Sequence, residues 1–246
     1  MTDLAWLSRT ELLLGKAKLA KLQNSHVLVV GMGGVGSFAA EFICRAGVGE
    51  MTIVDGDVID PSNRNRQLPA LSTTHGLSKA TVMGERLLDI NPDLKLHIRH
   101  EFITPDTAAE LVSQHYDYVV DAIDSLTPKI HMLRAAKTQK LNIISSMGAG
   151  GKLDPTQLRV VDISKTYNCP FAQFIRLRLK KKGISKGLKV VFSPEVVSKE
   201  SLMYTSGTLY KKSAYGTISY LPAAFGGVCA SVVIRKLTAD VEDEVA

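Results

Sequence analysis

The sequence predicts an α/β fold, a doubly wound and mostly parallel sheet with an elaborated C-terminal part. Three observations predict it. Short apolar runs of four to six residues alternate with helical stretches through the first 150 residues, the texture of strands covered on both faces by helices. The first of these runs ends directly in a glycine-rich turn that opens a helix. Two of the runs end in aspartates, at the carboxyl edge where an open parallel sheet gathers its ligands.

In chain order, Glu11–Leu22 has helical spacing and breaks at Asn24 and Ser25. His26–Val30 is an apolar strand running into Gly31, Ser37–Ala46 a helix closed by Gly47, and Met51–Val54 the next strand. Leu77–Ile90 is a helix that stops before Pro92, and Lys95–His100 a strand. Ala108–Gln114 and Lys129–Gln139 read as helices, Tyr118–Asp121 and Asn142–Ser145 as strands. Beyond Gly148 the pattern loosens. Gln157–Ile163 alternates like an edge strand, Phe171–Lys182 is a basic helix whose Phe171 and Phe174 are expected to pack it, and Leu188–Phe192 is another strand. Ser198–Ile218 reads as irregular, and the apolar Tyr220–Ile234 as a buried helix too short to cross a membrane.

At 246 residues the chain buries enough surface, roughly 70–75% of that exposed when unfolded, to hold a core without staples. No repeat or linker separates a second domain, so residues 1–246 are expected to be one unit, with 1–150 the nucleotide-binding core and 151–246 an elaboration for substrate and dimer contacts. Cys44, Cys169 and Cys229 are too far apart in sequence for a C-x-x-C metal pair, and are expected to be structural. Neither a secretory signal nor a transmembrane segment is expected, which leaves the cytoplasm as the expected compartment and peripheral membrane contact open. The six histidines show no ligand spacing. The formal charge is +6, but seven basic residues and no acid lie between Arg176 and Lys189, whereas the tail is acidic. A basic stretch of this density points to a polyanionic partner, and Arg176, Arg178, Lys180, Lys181, Lys182 and Lys186 are the candidate nucleic-acid contacts, with Lys165 a secondary one.

Gly31-Met32-Gly33-Gly34-Val35-Gly36 matches G-x-G-x-x-G between a strand and a helix, the context of a Rossmann-like phosphate turn. Gly31 permits the turn, Gly33 and Gly34 let phosphate approach the backbone, and Gly36 permits close helix packing, while free amides at the helix start face the anion. Asp55, 19 residues beyond Gly36, is placed to accept from ribose hydroxyls, and Asp57 to join the nucleotide network. A nicotinamide dehydrogenase would share all of this. It would not account for Ser62-Asn63-Arg64-Asn65-Arg66-Gln67 or Lys79. A triphosphate that releases pyrophosphate needs extra cations and fixed donors. Arg66 and Lys79 are the candidate clamp, Asn63 and Gln67 candidate polar contacts, Asp124 the candidate Mg²⁺ ligand, and Asp121 a contact or support beside it.

This ordered set resembles the ubiquitin-activating-like adenylating superfamily, which includes the molybdopterin- and thiamine-pathway activators. A closer resemblance, over nearly the whole chain, is to the tRNA threonylcarbamoyladenosine dehydratase family. It rests on Arg9–Gly15, Asn63–Gln67, Val119–Ser125, Gly148–Gln157, Asp162–Thr166, the basic helix, and Val191–Glu195. The resemblance implies a homodimer using ATP and Mg²⁺ to activate the threonine carboxylate of N6-threonylcarbamoyladenosine in tRNA as an acyl-adenylate. Attack by the neighbouring carbamoyl group would then close a ring. It implies that an arginine crosses from the partner subunit, with Arg9 the candidate, and a sulfur-acceptor pathway protein as a further possible partner. The alternative is adenylation of a sulfur carrier's C-terminal glycine; the absence of paired C-x-x-C motifs and the basic late segment count against it.

Overall fold

The computed structural model describes residues 5–208 and 211–242. Seven strands, β1 (His26–Val30), β2 (Glu50–Val54), β3 (Lys95–Arg99), β4 (Tyr118–Asp121), β5 (Ile143–Ser146), β6 (Arg159–Asp162) and β7 (Lys189–Phe192), form one sheet in the order β3-β2-β1-β4-β5-β7-β6. Every pairing is parallel except β6 with β7. The expected fold class is therefore the observed one, with the antiparallel edge strand contributed by the late part of the chain.

The helices are α1 (Ser8–Leu14), α2 (Lys16–Gln23), α3 (Gly36–Arg45), α4 (Lys79–Ile90), α5 (Pro105–Ser113), α6 (Leu126–Thr138), α7 (Pro170–Lys180) and α8 (Tyr220–Leu237). Side chains alternate across a strand, and β1 feeds both layers of core. Val27 and Val29 join Ile43, Met51, Met83 and Phe225 on one face, while Leu28 and Val30 join Val119, Ile130, Leu133 and Ile175 on the other. Burial on both faces is why the central strands read as continuous apolar runs. At about 25 cal/mol per Å² of apolar surface removed from water, such double-sided burial is the main stabilising term of the sheet.

Among the boundaries that differ from the sequence expectation, three have a clear physical cause or consequence. Gly15, at φ +88°, splits the helix expected over Glu11–Leu22 into α1 and α2, a backbone conformation that glycine takes without strain. Helix α6 starts three residues early because Pro128 sits within its first turn, where no intrahelical donor is lost. The region expected to be irregular contains a hairpin, β8 (Leu202–Thr208) with β9 (Lys211–Tyr215), in an antiparallel pairing with a register shift. By length and composition α8 would be apolar enough to cross a membrane. Here Leu221, Phe225, Cys229 and Val233 are instead buried in the core, and Gly226 crosses α3 so closely that a Cβ would stand 2.6 Å from Val35 O.

Beneath the carboxyl edge lies a buried ion pair. Lys129 Nζ and Asp121 Oδ2 are 2.8 Å apart, and both side chains are wholly inaccessible. Lys129 Nζ also donates to Ile123 O at 2.9 Å, Ser145 Oγ donates to Asp121 Oδ2 at 2.6 Å, and Ile123 N donates to Asp121 Oδ1 at 3.1 Å. This network ties β4, β5, α6 and the loop after β4 into one unit. Removing one partner of a buried pair strands the other charge, at a cost of about 3–5 kcal/mol. Lys129→Met is therefore expected to lower denaturant-unfolding stability by about that amount, and the double variant Asp121→Asn/Lys129→Met to be more stable than Lys129→Met alone.

Candidate active site at the carboxyl edge of the sheet

The strand order reverses between β1 and β4, and the crevice there is the ligand-binding position of open α/β sheets. The glycine turn after β1 opens into it. Gly31 sits at φ +94°, and a Cβ there would stand 2.9 Å from Ala122 O, so the turns after β1 and β4 press together with no room for a side chain. A Cβ on Gly36 would fall 1.7 Å from Gly31 O. At Gly33 the nearest atoms to such a Cβ are those of the Gln67 side-chain amide, 3.8–4.0 Å away. Gly31 and Gly36 thus answer to packing, and Gly33 keeps a backbone surface open. Gly34 is intermediate: a methyl group there would stand 3.0 Å from Pro222 and 3.2 Å from Arg66 O.

The acids expected to bind nucleotide divide into two kinds. Asp55 Oδ2 accepts from Met32 N at 2.6 Å and Oδ1 from Asp57 N at 2.7 Å, so its carboxylate braces the glycine turn. Burial pushes the Asp55 carboxyl above its usual range, against the opposing pull of the Lys79 ammonium and these two amides. Asp121 is fully enclosed. It supports the edge from beneath, and the expectation of direct nucleotide contact is corrected to that supporting role. Asp57 and Asp124 are exposed at the edge.

Lys79, the first residue of α4, is nearly buried, and its Nζ lies 3.0 Å from Asp57 Oδ2. The pair aims an ammonium at the edge with its stem desolvated. Pro61–Asn63 forms a 3-10 turn capped by Asp60. Asn63 is buried, and its Oδ1 accepts from Asp60 N at 3.1 Å, so that atom serves the loop's own architecture. Arg66 Nη1 donates to Ser62 O at 3.0 Å and to Asn65 Oδ1 at 2.9 Å, and Asn65 Nδ2 donates to Thr217 O at 2.9 Å. The Arg66 loop is thereby pinned to the segment after the hairpin. Gln67 carries an unusual atom: its Oε1 is buried with no hydrogen-bond partner among the described residues, in the amide that faces Gly33. An orphaned buried acceptor costs about 1–3 kcal/mol, which a bound ligand donor at the glycine turn would recover. A cleft of about 240 Å³ adjoins it, lined by Phe38, Arg64, Arg66, Gln67, Leu71 and Ser219.

The basic helix lies next to this edge. Arg178 Nη1 donates to Thr127 Oγ1 at 3.5 Å, in the first turn of α6 just after Asp124. Arg178, Lys180, Lys181, Lys182 and Lys186 are exposed, whereas Arg176 is partly buried and donates to Thr166 Oγ1, a structural tie. Phe171 is partly buried against Gly148 and the Lys129 ammonium. Phe174, expected to pack the helix, is instead 54% exposed beside Leu177 at 53%. The helical period places residues 174, 177, 178 and 181 on one outward face.

Arg9 is not brought to this site. It is exposed on α1, and Leu7 at the start of that helix packs on Gly47, just before β2. That is the amino edge of the sheet, separated from the glycine turn by a five-residue strand of about 16 Å. Two buried lysines were not anticipated as parts of this edge. Lys129 reads in sequence as an ordinary helix-start cation. Lys152 Nζ donates to Ser193 O at 2.9 Å, with burial pulling its ammonium below the ordinary lysine value. All three cysteines are buried, and burial pushes the Cys44 and Cys229 thiols up to about 12, which makes both poor nucleophiles.

A glycine cradle, a braced acid, a paired lysine and a loop arginine at one switch point define a nucleotide-using α/β protein. A model of the ThiF family matches residues 7–246, and the chain belongs to that family. Within it the chain groups with the tRNA threonylcarbamoyladenosine dehydratases. It is 40% identical to that enzyme from Bacillus subtilis, over 96% of this chain and 95% of the relative. It is 38% identical to the Escherichia coli enzyme with the same two coverages. The crystal structure of the E. coli enzyme in complex with ATP superposes with a TM-score of 0.88 at 37% identity, covering 97% of each chain. Its complex with AMP gives 0.86 at 38%, covering 96% of each.

The glycine geometry makes a separable prediction. Gly33→Ala is expected to leave the unfolding midpoint nearly unchanged while weakening nucleotide binding about tenfold or more, or about 1.4 kcal/mol. Gly36→Ala is expected to cost about 1–3 kcal/mol of stability by overpacking. Calorimetric titration with nucleotide and denaturant unfolding read the two effects.

Proposed function

We propose that the chain catalyses ATP-dependent dehydration of N6-threonylcarbamoyladenosine in tRNA through an acyl-adenylate. The single observation that carries this reading is the conjunction of an open Gly33 backbone, the orphaned Gln67 acceptor and the cations Lys79 and Arg66 at one edge. It sits within a chain that aligns over 96% of its length with enzymes of that name. ATP fits there as substrate: its phosphates against the amides of Gly33 and Gly34, its charge facing Lys79 and Arg66, and a hydrogen-bond donor available for Gln67 Oε1. Asp55 holds the turn in shape from behind.

In this reading a threonine carboxylate oxygen attacks the α-phosphorus and the bond to the bridging oxygen of pyrophosphate breaks. The carbamoyl group then attacks the activated carbonyl, loses a proton, and AMP leaves with the former carboxylate oxygen. The ring-closed product is lighter by one water, and ATP is converted to AMP and pyrophosphate. Repulsion between carboxylate and phosphate is the main barrier, so fixed cations contribute more than acid–base groups. Lys79 and Arg66 neutralise the α-phosphate as charge develops, and the second step is intramolecular and needs chiefly orientation. The exposed carboxylate of Asp124 is the hard oxygen donor suited to hold Mg²⁺, which when bound neutralises phosphate charge.

The same reading assigns residues 1–150 to the nucleotide core and 151–246 to substrate and dimer contacts, and takes tRNA along the exposed face of α7. It takes the enzyme as a cytoplasmic homodimer in which Arg9 serves the partner's site, since its own site lies at the other end of the sheet. A sulfur-acceptor protein is a further partner in this reading. Adenylation of a sulfur carrier ranks below it: a relative with adenylyltransferase and sulfurtransferase activities from Lodderomyces elongisporus is 32% identical, but the match covers only 33% of its length.

With modified tRNA and ATP·Mg²⁺, mass spectrometry is expected to record loss of one water from the nucleoside together with AMP. No mass change from folded, ATP-binding protein would remove the assignment. Lys79→Met and Arg66→Ala are each expected to slow AMP release by about 10²–10³-fold with the circular dichroism spectrum retained. For the basic helix, Lys180→Ala/Lys181→Ala/Lys182→Ala is expected to weaken tRNA binding. It should also flatten the dependence of log affinity on log salt by about 0.7–0.9 for each phosphate no longer neutralised.

A further inference from the structure

Toward the amino edge of the sheet, opposite the nucleotide crevice, side chains from three adjacent strands converge. His26 opens β1, Glu50 opens β2, and His97 lies on β3 in register with Thr52. His97 Nε2 is 2.9 Å from Glu50 Oε1, and His26 Nδ1 is 3.5 Å from the same oxygen. One ligand atom from each of the three lies within 4.8 Å of the others, so side-chain movement of a few tenths of an ångström brings all three to a single ion at the roughly 2.0–2.2 Å typical of imidazole nitrogen and carboxylate oxygen on zinc. The imidazole planes are tilted 42° with centroids 5.6 Å apart.

Surrounding groups hold this arrangement. His26 Nε2 is 2.9 Å from Thr52 Oγ1, and Thr52 is buried. Hydrogen-bonding the far nitrogen fixes the ring and leaves Nδ1 to face the cluster, as in histidines that bind metals. Tyr116 packs against His26, with centroids 4.6 Å apart, and Asp117 Oδ2 accepts from His26 N at 2.8 Å. Lys95 Nζ lies 2.9 Å from Glu50 Oε1, but its side chain is 67% exposed. A cation on a long solvated stem already occupies the acid and is free to swing out when a stronger one arrives.

We propose that His26, Glu50 and His97 form a binding site for one borderline divalent transition ion, of which Zn²⁺ and Co²⁺ are the working examples. Two imidazoles and one carboxylate select such ions over Mg²⁺ or Ca²⁺, which require mostly oxygen ligands. With three protein ligands, a fourth position is left to solvent. The ion would cross-link the amino ends of β1 and β2 to the middle of the edge strand β3, and so stabilise the half of the sheet that carries the glycine turn. Neither nucleotide nor the adenylation chemistry takes part, so the site stands or falls apart from the proposed reaction.

The test uses tag-free, full-length protein stripped with chelator and titrated with Co²⁺, followed by visible absorption and by thermal unfolding. The expected result is one Co²⁺ per chain, displaced by Zn²⁺, with Tm rising as the ion is added. His97→Ala and Glu50→Gln should abolish the absorption band, Thr52→Val should weaken binding about 10–100-fold, and Lys95→Ala should tighten it. His97 is about half-exposed on an edge strand, so circular dichroism of His97→Ala is expected to match the parent. An absence of saturable binding would overturn the site, as would binding that persists in His97→Ala.

Discussion

The contact between Asp121 and Lys129 fixes the end of β4, the loop that follows it and the start of α6 with respect to each other. It does so in a place that water does not reach, where the mutual attraction of two charges is weakly screened but each was costly to bury. The loop it holds carries Ala122, against which Gly31 is pressed, and Asp124, which stands exposed at the edge. The glycine turn, the carboxylate proposed for Mg²⁺ and the Arg178 end of the basic helix therefore take their positions from one buried pair. Ser145 joins it from β5, so the late half of the sheet is bound to the same point. A hydrophobic pair of similar volume would pack there at less cost; what the charged pair adds is directional hydrogen bonding to Ile123 and Ser145.

Above this support the charges are arranged by sign. Lys79 leans on Asp57, and Arg66 is held by its own loop. Both cations are thus placed before any ligand arrives, which is the condition under which fixed charges stabilise a transition state most effectively. The chain's other described reactive groups are placed differently. Its cysteines are buried, and the His26, Glu50 and His97 cluster lies at the other edge of the sheet. Activation of a poor electrophile is left to the nucleotide, and ring closure to the geometry of the substrate.

Much of this was legible in the sequence because it rests on local patterns. The glycine string, the apolar runs and the aspartates that end β2 and β4 each follow from spacing along a single element, and the sheet places them as expected. Legibility failed where function depends on partners distant in sequence. Asp121 is open in sequence to a contact or a supporting role, and Lys129 and Ser145 settle it as support by enclosing it. Phe174 and Arg176 exchange their expected roles because the phase of α7 depends on which face meets α6 and the core. The segment over residues 198–218 carried no clear alternation, and its hairpin has a register shift that breaks the period of two.

In the reaction derived above, the substrate's carboxylate is activated by its attachment to AMP. The measurement that tests it most directly is isotope transfer, with ¹⁸O placed in the threonine carboxylate of the modified tRNA and the nucleotide products analysed by mass spectrometry after one turnover. Attack at the α-phosphorus followed by ring closure predicts one labelled oxygen in AMP and none in pyrophosphate. Label in pyrophosphate or inorganic phosphate, or cyclised product formed with unlabelled AMP, would contradict the account.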